Sequence, residues 1–291
     1  MVKYFLTTQT YHEVLHKKIT IQSLCEGILA IFVPMKFIDT HAHLYLEQFE
    51  NDLQEMIAEA KANNVERVVL PNIDAGSSES LIKLYESDPR FFTPMMGLHP
   101  CSVKDGYKEE LEQIEAQFLR QDFACVGEIG LDYYWDTLHK AEQIDAFRTQ
   151  IAWSKEKNLP IAVHCREAFD DILDILEDEQ DGKLKGVLHC FTGNKEQAKR
   201  LTDIGFYLGI GGVLTYKNSG LDKTLEGMNL EHLLLETDAP YLSPVPFRGK
   251  RNESSYLIYI AEKLAEVLGV KLEEVSIKTT ENAKKLFSIK D

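Results

Sequence analysis

The chain has 291 residues, 44% of them hydrophobic, with 32 basic and 47 acidic side chains and a formal charge of −15. This composition supports a sizeable core, and the acidic balance excludes a protein that coats nucleic acid through a basic surface. It leaves room for a metal-lined cleft that accepts phosphates, because bound divalent ions dominate the local field.

Five scattered cysteines, Cys25, Cys101, Cys125, Cys165 and Cys190, argue against a disulfide framework and for a reducing compartment such as the cytoplasm. No run approaches the roughly 20 apolar residues of a membrane span. Residues 1–34 differ from the rest of the chain. Their short apolar stretch, Ile28 to Val33, lies in a charged context and lacks a small-residue cleavage pattern. We read 1–34 as an N-terminal extension, with Met35 as a candidate start. Residues 35–291 then form one domain, close to the roughly 250 residues of a (β/α)8 barrel.

From Met35 onward, apolar runs alternate with amphipathic charged stretches. The strand candidates are Phe37–Ile38, Val68–Leu70, Phe91–Leu98, Phe123–Val126, Pro160–Val163, Gly186–Leu188, Phe206–Ile210 and His232–Leu235. Helical patterns between them include Leu53–Asn64, Gln143–Asn158 and Lys195–Gly205, and a last helix begins near Thr280. Eight strands alternating with helices imply a parallel α/β sheet, and eight is the count that closes a TIM barrel. The competing architecture, an open doubly wound sheet, announces a Gly-rich phosphate loop after its first strand. Here the first strand ends in histidines, and the late GIGG at Gly209–Gly212 has the wrong spacing.

Almost every run ends in a residue that can bind metal or phosphate. The first, FIDTHAHL, ends in His41 and His43, which share a strand face with Asp39 if the extended period of two continues. Others end in His99, Glu128, His164, His189 and Asp238. Singly, such a histidine is usually a hydrogen-bonded structural residue, and such a carboxylate a helix cap. Together they mark the C-terminal face of a barrel, where the active site lies.

Four of these histidines, His41, His43, His164 and His189, with the carboxylates Glu128 and Asp238 are too many ligands for one tetrahedral ion and suit two ions sharing a carboxylate. Glu128, between Gly127 and Gly130, is the expected bridge. His41, His43 and Asp238, from strands adjacent on closure, would hold the first ion. His164 and His189 would hold the second. Cys165 and Cys190 each follow a histidine, so alternation turns them away from the site.

The motifs FIDTHAHL, GLHP, GEIGLDYYW, LPIAVHCREA, GVLHCFTG, LLLETDAPYLSP and PFRGKRNE, in that order from Phe37 to Phe287, resemble the TatD-type metal-dependent deoxyribonucleases of the amidohydrolase superfamily. The resemblance implies a TIM barrel with a two-metal centre, and phosphodiester hydrolysis that degrades DNA from the 3′ end. Ser254 departs from the family's usual NEP, which is expected to loosen one loop.

Catalytic roles fall to Asp238, which can take or relay the proton of an attacking water, and to the bridging Glu128. His99, Arg166 and Arg248 are candidates for substrate phosphates. Tyr133, Tyr134 and Trp135 either stack on bases or pack the barrel mouth. The expected cofactors are two divalent ions, Mg2+, Mn2+ or Zn2+. The expected substrate is single-stranded DNA or a 3′ end, with no membrane or protein partner. The rival reading is a two-metal hydrolase of another ester, amide or phosphoester, because fold alone does not choose the bond.

Overall fold

The computed structural model describes residues 35–290, so the expectations placed on residues 1–34, Cys25 included, lie outside the described residues. The strands are β1 (Phe37–Asp39), β2 (Val65–Leu70), β3 (Phe92–Pro94), β4 (Val126–Asp132), β5 (Ile161–Arg166), β6 (Gly186–Leu188), β7 (Tyr207–Ile210) and β8 (Leu233–Leu235). One helix follows each of the first seven strands: α1 (Leu53–Ala62), α2 (Ser78–Ser87), α3 (Tyr107–Gln117), α4 (Lys140–Lys157), α5 (Phe169–Asp178), α6 (Lys195–Asp203) and α7 (Leu221–Leu225). Helices α8 (Leu257–Leu268) and α9 (Leu272–Phe287) close the chain.

All ladders are parallel and run in two arcs, β1 to β3 and β4 to β8. Isolated parallel pairs bridge the seams, Met96 with Val126 and Ala42 with Ala239. At the second seam the Asp238 amide donates to the His41 carbonyl at 2.8 Å, and the His43 amide donates to the Ala239 carbonyl at 2.7 Å. The architecture is the expected α/β barrel.

The strands are apolar without alternation because both faces are covered, as parallel sheets require. Ile38, Val69, Ala162, Val187, Tyr207 and Leu234, one from each of six strands, meet in the core with Ala283, Leu286 and Phe287 of α9. That helix starts eight residues before Thr280. Its first turn is acidic, and the Glu274 carboxylate accepts the Lys271 amide at 3.1 Å, half of a capping box. The loop after β6 enters α6 through a full capping box. Asn194 Oδ1 accepts the Gln197 amide at 3.0 Å, and Gln197 Oε1 accepts the Asn194 amide at 2.9 Å. Such a cap is worth about 1 kcal/mol.

Strand β4 lies later than its apolar run. Pairing begins at Val126, where the expected strand Phe123–Val126 ends, and continues to Asp132. Glu128 is therefore within the strand rather than past it. Gly130 sits opposite His164 at φ +141°, and a Cβ there would stand 2.1 Å from the His164 carbonyl oxygen. The glycine thus serves the close approach of β4 to β5, rather than the approach of a ligand.

Candidate metal centre

The barrel brings His41, His43, Glu128, His164, His189 and Asp238 to one place, and His99 joins them. Glu128 is the hub. Its Oε2 lies 3.1 Å from His41 Nε2 and 3.5 Å from His43 Nε2. Its Oε1 lies 2.8 Å from His189 Nε2, 2.9 Å from His164 Nδ1 and 3.4 Å from His99 Nε2. Asp238 Oδ1 faces the first group, 3.9 Å from His41 Nε2 and 3.7 Å from His43 Nε2. The two carboxylate oxygens of Glu128 thus address two separate sets of imidazoles.

These donors fit metal ions. Several of their mutual distances are too long for hydrogen bonds. Two ligands about 2.1 Å from a shared tetrahedral ion stand about 3.4 Å apart, the spacing seen here. Three groups bring one donor atom per residue within 4.8 Å of one another: His41, His43 and Glu128; His41, His189 and Glu236; His99, Glu128 and His164. Cys165 and Cys190 belong to none of these groups.

The outward nitrogens decide which way each lone pair points. Tyr45 donates its hydroxyl to the Pro71 carbonyl at 2.7 Å, so its oxygen receives the proton of His43 Nδ1 at 3.2 Å. His164 Nε2 donates to Asp132 Oδ2 at 3.0 Å. His189 Nδ1 faces Glu236 Oε1 at 3.4 Å. In His43 and His164 the outward nitrogen has an acceptor for its proton, so the neutral ring turns its lone pair toward Glu128, as metal-binding imidazoles are arranged, whereas His189 Nδ1 makes no hydrogen bond.

His99 is reversed. Its Nδ1 accepts the Cys101 amide at 3.0 Å, which puts the proton of the neutral ring on the site-facing Nε2. His99 therefore presents a donor to the site and has no inward lone pair to offer a metal.

Charge balance follows from the packing. Burial disfavours the Glu128 carboxylate, but His189, His99 and His41 outweigh it and hold its carboxyl well below the usual range. Burial opposes protonation of His189, yet Glu128 and Glu236 raise it well above the usual imidazole range. Burial, aided by the stacked His189 ring at 3.8 Å, pushes His41 well down. Burial raises Asp238 to about 6 against the pull of His189 and His43.

Asp39 does not share the histidines' face. β1 ends at Asp39, and its carboxylate accepts from the Thr237 amide at 2.9 Å, the Thr237 hydroxyl at 2.6 Å and the Ser254 hydroxyl at 2.6 Å. It supports the backbone of the Thr237 segment that carries Asp238, and its Oδ1 also accepts the His41 amide at 3.4 Å. The Ser254 contact also corrects the expectation of a looser loop. Ser254 adds a buried hydrogen bond to Asp39. Asn252 adds to the same support, donating to the Thr237 and Tyr241 carbonyls at 2.6 Å each.

Arg166 and Arg248 lie outside the imidazole cluster. The Arg166 guanidinium lies 3.9 Å from the Tyr134 ring centroid and 5.3 Å from that of Trp135. Arg248 lies 4.4 Å from the Tyr216 ring centroid. Tyr133 is buried and donates its hydroxyl to Asp171 at 2.7 Å, so it packs, while Tyr134 and Trp135 are exposed. Sequence reasoning missed Tyr45, Asp132 and Glu236. Glu236 lies just past the end of β8 in LLLETDAP, and only the fold shows that it faces His189.

Among known proteins, the family model described as TatD related DNase matches residues 38–288. The metal-dependent hydrolase YabD of Bacillus subtilis is 43% identical over 252 residues, covering 86% of this chain and 98% of that protein. The 3′-5′ ssDNA/RNA exonuclease TatD of Pantoea ananatis is 30% identical over 257 residues, covering 86% and 99%. The crystal structure of YjjV, a TatD homolog of Escherichia coli K12, superposes with a TM-score of 0.82 at 28% identity, covering 87% of this chain and 98% of that one. By family model, by relatives across nearly their whole length and by fold, the chain belongs to the TatD family of metal-dependent hydrolases.

Proposed function

We propose that this hydrolase cleaves phosphodiester bonds of DNA, removing nucleotides from the 3′ end of single strands. The observation that carries the reading is the division of Glu128 between two sets of imidazoles, with the proton of His99 aimed into the same space. His41, His43, Asp238 and one oxygen of Glu128 would hold one ion; His164, His189 and the other oxygen would hold a second. Mg2+, Mn2+ and Zn2+ all suit such a mixed nitrogen and oxygen set. When bound, such ions lower the pKa of an attacking water and absorb charge on the phosphoryl and leaving oxygens.

The chain's own residues do the rest. Asp238 takes the proton of the attacking water at its carboxylate. His99 donates Nε2–H to a non-bridging phosphate oxygen as charge develops there. Arg248 and Arg166 neutralise flanking phosphates, and the exposed rings of Tyr134 and Trp135 stack on bases without choosing among them. The relative from Pantoea ananatis, named as a 3′-5′ exonuclease, supports this choice of substrate. Residues 35–291 act as one hydrolase unit in this reading. The free thiols Cys101, Cys125, Cys165 and Cys190 suit a cytoplasmic setting.

The rival substrates, amides, carboxylic esters and phosphotriesters, would use the same donors. A panel of these bonds beside a DNA oligomer, run on one metal-reloaded preparation, separates them. We expect the highest kcat/KM on the oligomer, with a rate that falls as salt rises. A higher kcat/KM on an uncharged ester or amide would overturn the choice of substrate while keeping the site.

A further inference from the structure

Asp132 lies at the end of β4, opposite Arg166 of β5 in the ladder, and is 1% exposed. Its two carboxylate oxygens do different work. Oδ2 accepts from His164 Nε2 at 3.0 Å. Oδ1 accepts from the amides of Tyr134 at 3.0 Å and Trp135 at 2.8 Å. The backbone of Asp132 is itself clamped. Gln143 Oε1 accepts its amide at 2.9 Å, and Gln143 Nε2 donates to its carbonyl at 3.2 Å. One buried, fixed carboxylate therefore joins an imidazole of the metal centre to the turn that displays two exposed aromatics.

That turn forms a platform. Tyr134 is 51% and Trp135 67% exposed, their rings meet edge to face at 4.9 Å, and the Arg166 guanidinium lies against both. A cation beside open aromatic faces suits a flat ring that carries a phosphate. Arg166 also follows His164 by two residues, so β5 ties the platform to the same imidazole.

We propose that Asp132 is a positioning residue that couples metal occupancy at His164 to the order of the Tyr134–Trp135 platform. The inference rests on the nuclease reading for what the platform receives, but not for the coupling itself. A cation on the Nδ1 side makes the Nε2 proton a stronger donor, so it grips Asp132 Oδ2 more tightly. The carboxylate is then held more tightly, and with it the two amides on Oδ1. Linkage makes the effect reciprocal, so a platform held in order tightens metal binding by the same factor.

The test uses Zn2+ alone and needs no substrate. Trp135 is exposed and Trp153 buried, so acrylamide quenching of tryptophan fluorescence reports on Trp135. Quenching is measured on chelated and Zn2+-loaded full-length protein, and zinc affinity by competition with a chromophoric chelator. Asp132→Asn keeps an amide oxygen for the turn but offers His164 no carboxylate. We expect loading to protect Trp135 in the wild type. In Asp132→Asn we expect one zinc site weakened about 10- to 100-fold and the protection lost. Identical quenching of chelated and loaded wild type would overturn the coupling, as would wild-type zinc affinity in Asp132→Asn. The wild-type comparison stands even if a variant fails to fold. Neither readout involves DNA cleavage, so failure here and failure of the nuclease reading are separate results.

Discussion

The Nδ1 of His99 accepts the amide proton of Cys101 at 3.0 Å, and this one bond separates His99 from the imidazoles around it. The neutral rings of His43 and His164 turn lone pairs toward Glu128, whereas His99 turns a proton. His99→Ala should therefore keep the full complement of bound metal. It should lower kcat by about 100-fold, near 2.7 kcal/mol, as loss of one charge-stabilising donor does. His164→Ala should lose metal as well as activity. Metal analysis of both purified variants checks this, and metal loss from His99→Ala would make it a ligand instead.

Glu128 faces both sets of imidazoles, so its substitution should be felt by both ions. In Glu128→Gln we expect the stoichiometry to fall from two toward none. In the wild type, each ion bound at 100 times its Kd should add about 2.7 kcal/mol to stability. For a domain of this size that is a rise in Tm of about 5 to 10 °C per ion over the chelated protein. Melting curves with and without metal measure it; an unchanged Tm would mean that the donors do not bind the ion offered.

Arg248 and Arg251 are three residues apart and should behave oppositely. Arg251 is bound in structure: Nη1 and Nη2 reach the two Asp52 oxygens at 2.8 and 2.6 Å, and Nη2 also reaches Glu253 at 3.0 Å. Arg251→Ala should lower Tm, with kcat/KM per folded molecule retained. Arg248, resting on the Tyr216 ring, should leave Tm unchanged when replaced by alanine. It should raise KM for oligonucleotide and reduce the salt slope of binding by about one. Equal salt slopes for Arg248→Ala and wild type would remove it from the phosphate contacts.

Asp136 anchors the far side of the aromatic turn. It accepts from Lys104, from His139 Nδ1 at 2.8 Å and from the Leu138 amide at 2.8 Å. The hydrogen bonds from Lys104 and His139 hold its carboxyl well below the ordinary 3.8. A carboxyl depressed by folding contributes stability that is complete above its unfolded value and is lost as pH falls toward its folded one. The Tm gap between wild type and Asp136→Asn should thus be steady above about pH 5 and narrow in more acid solution. A gap independent of pH would mean that the carboxylate charge contributes nothing.

The six candidate ligands were legible because each ends or closely follows an apolar run, and a closed barrel gathers those ends. Their supports were harder to read. Asp132 in GEIGLD and Glu236 in LLLETDAP look like turn residues or caps, and only packing shows which imidazole each one faces. β4 was displaced because its apolar run precedes it, while the strand itself carries glycines and carboxylates. Asp39 was assigned to the histidines' face by extending a period of two past Asp39, where β1 ends. The structural role of Arg251 is not legible in PFRGKRNE, because Asp52, its counter-ion, is distant in sequence and close only in the fold.

The most direct measurement is nucleotide release from a 5′-labelled single-stranded DNA oligomer with Mg2+ or Mn2+, beside a chelated control and Asp238→Asn. The expected result is a ladder descending one nucleotide at a time, absent from both controls. Internal fragments lost in the same controls would keep the phosphodiesterase and contradict the 3′-directed mode. An intact oligomer in the presence of protein shown to hold its metal would contradict the nuclease reading itself.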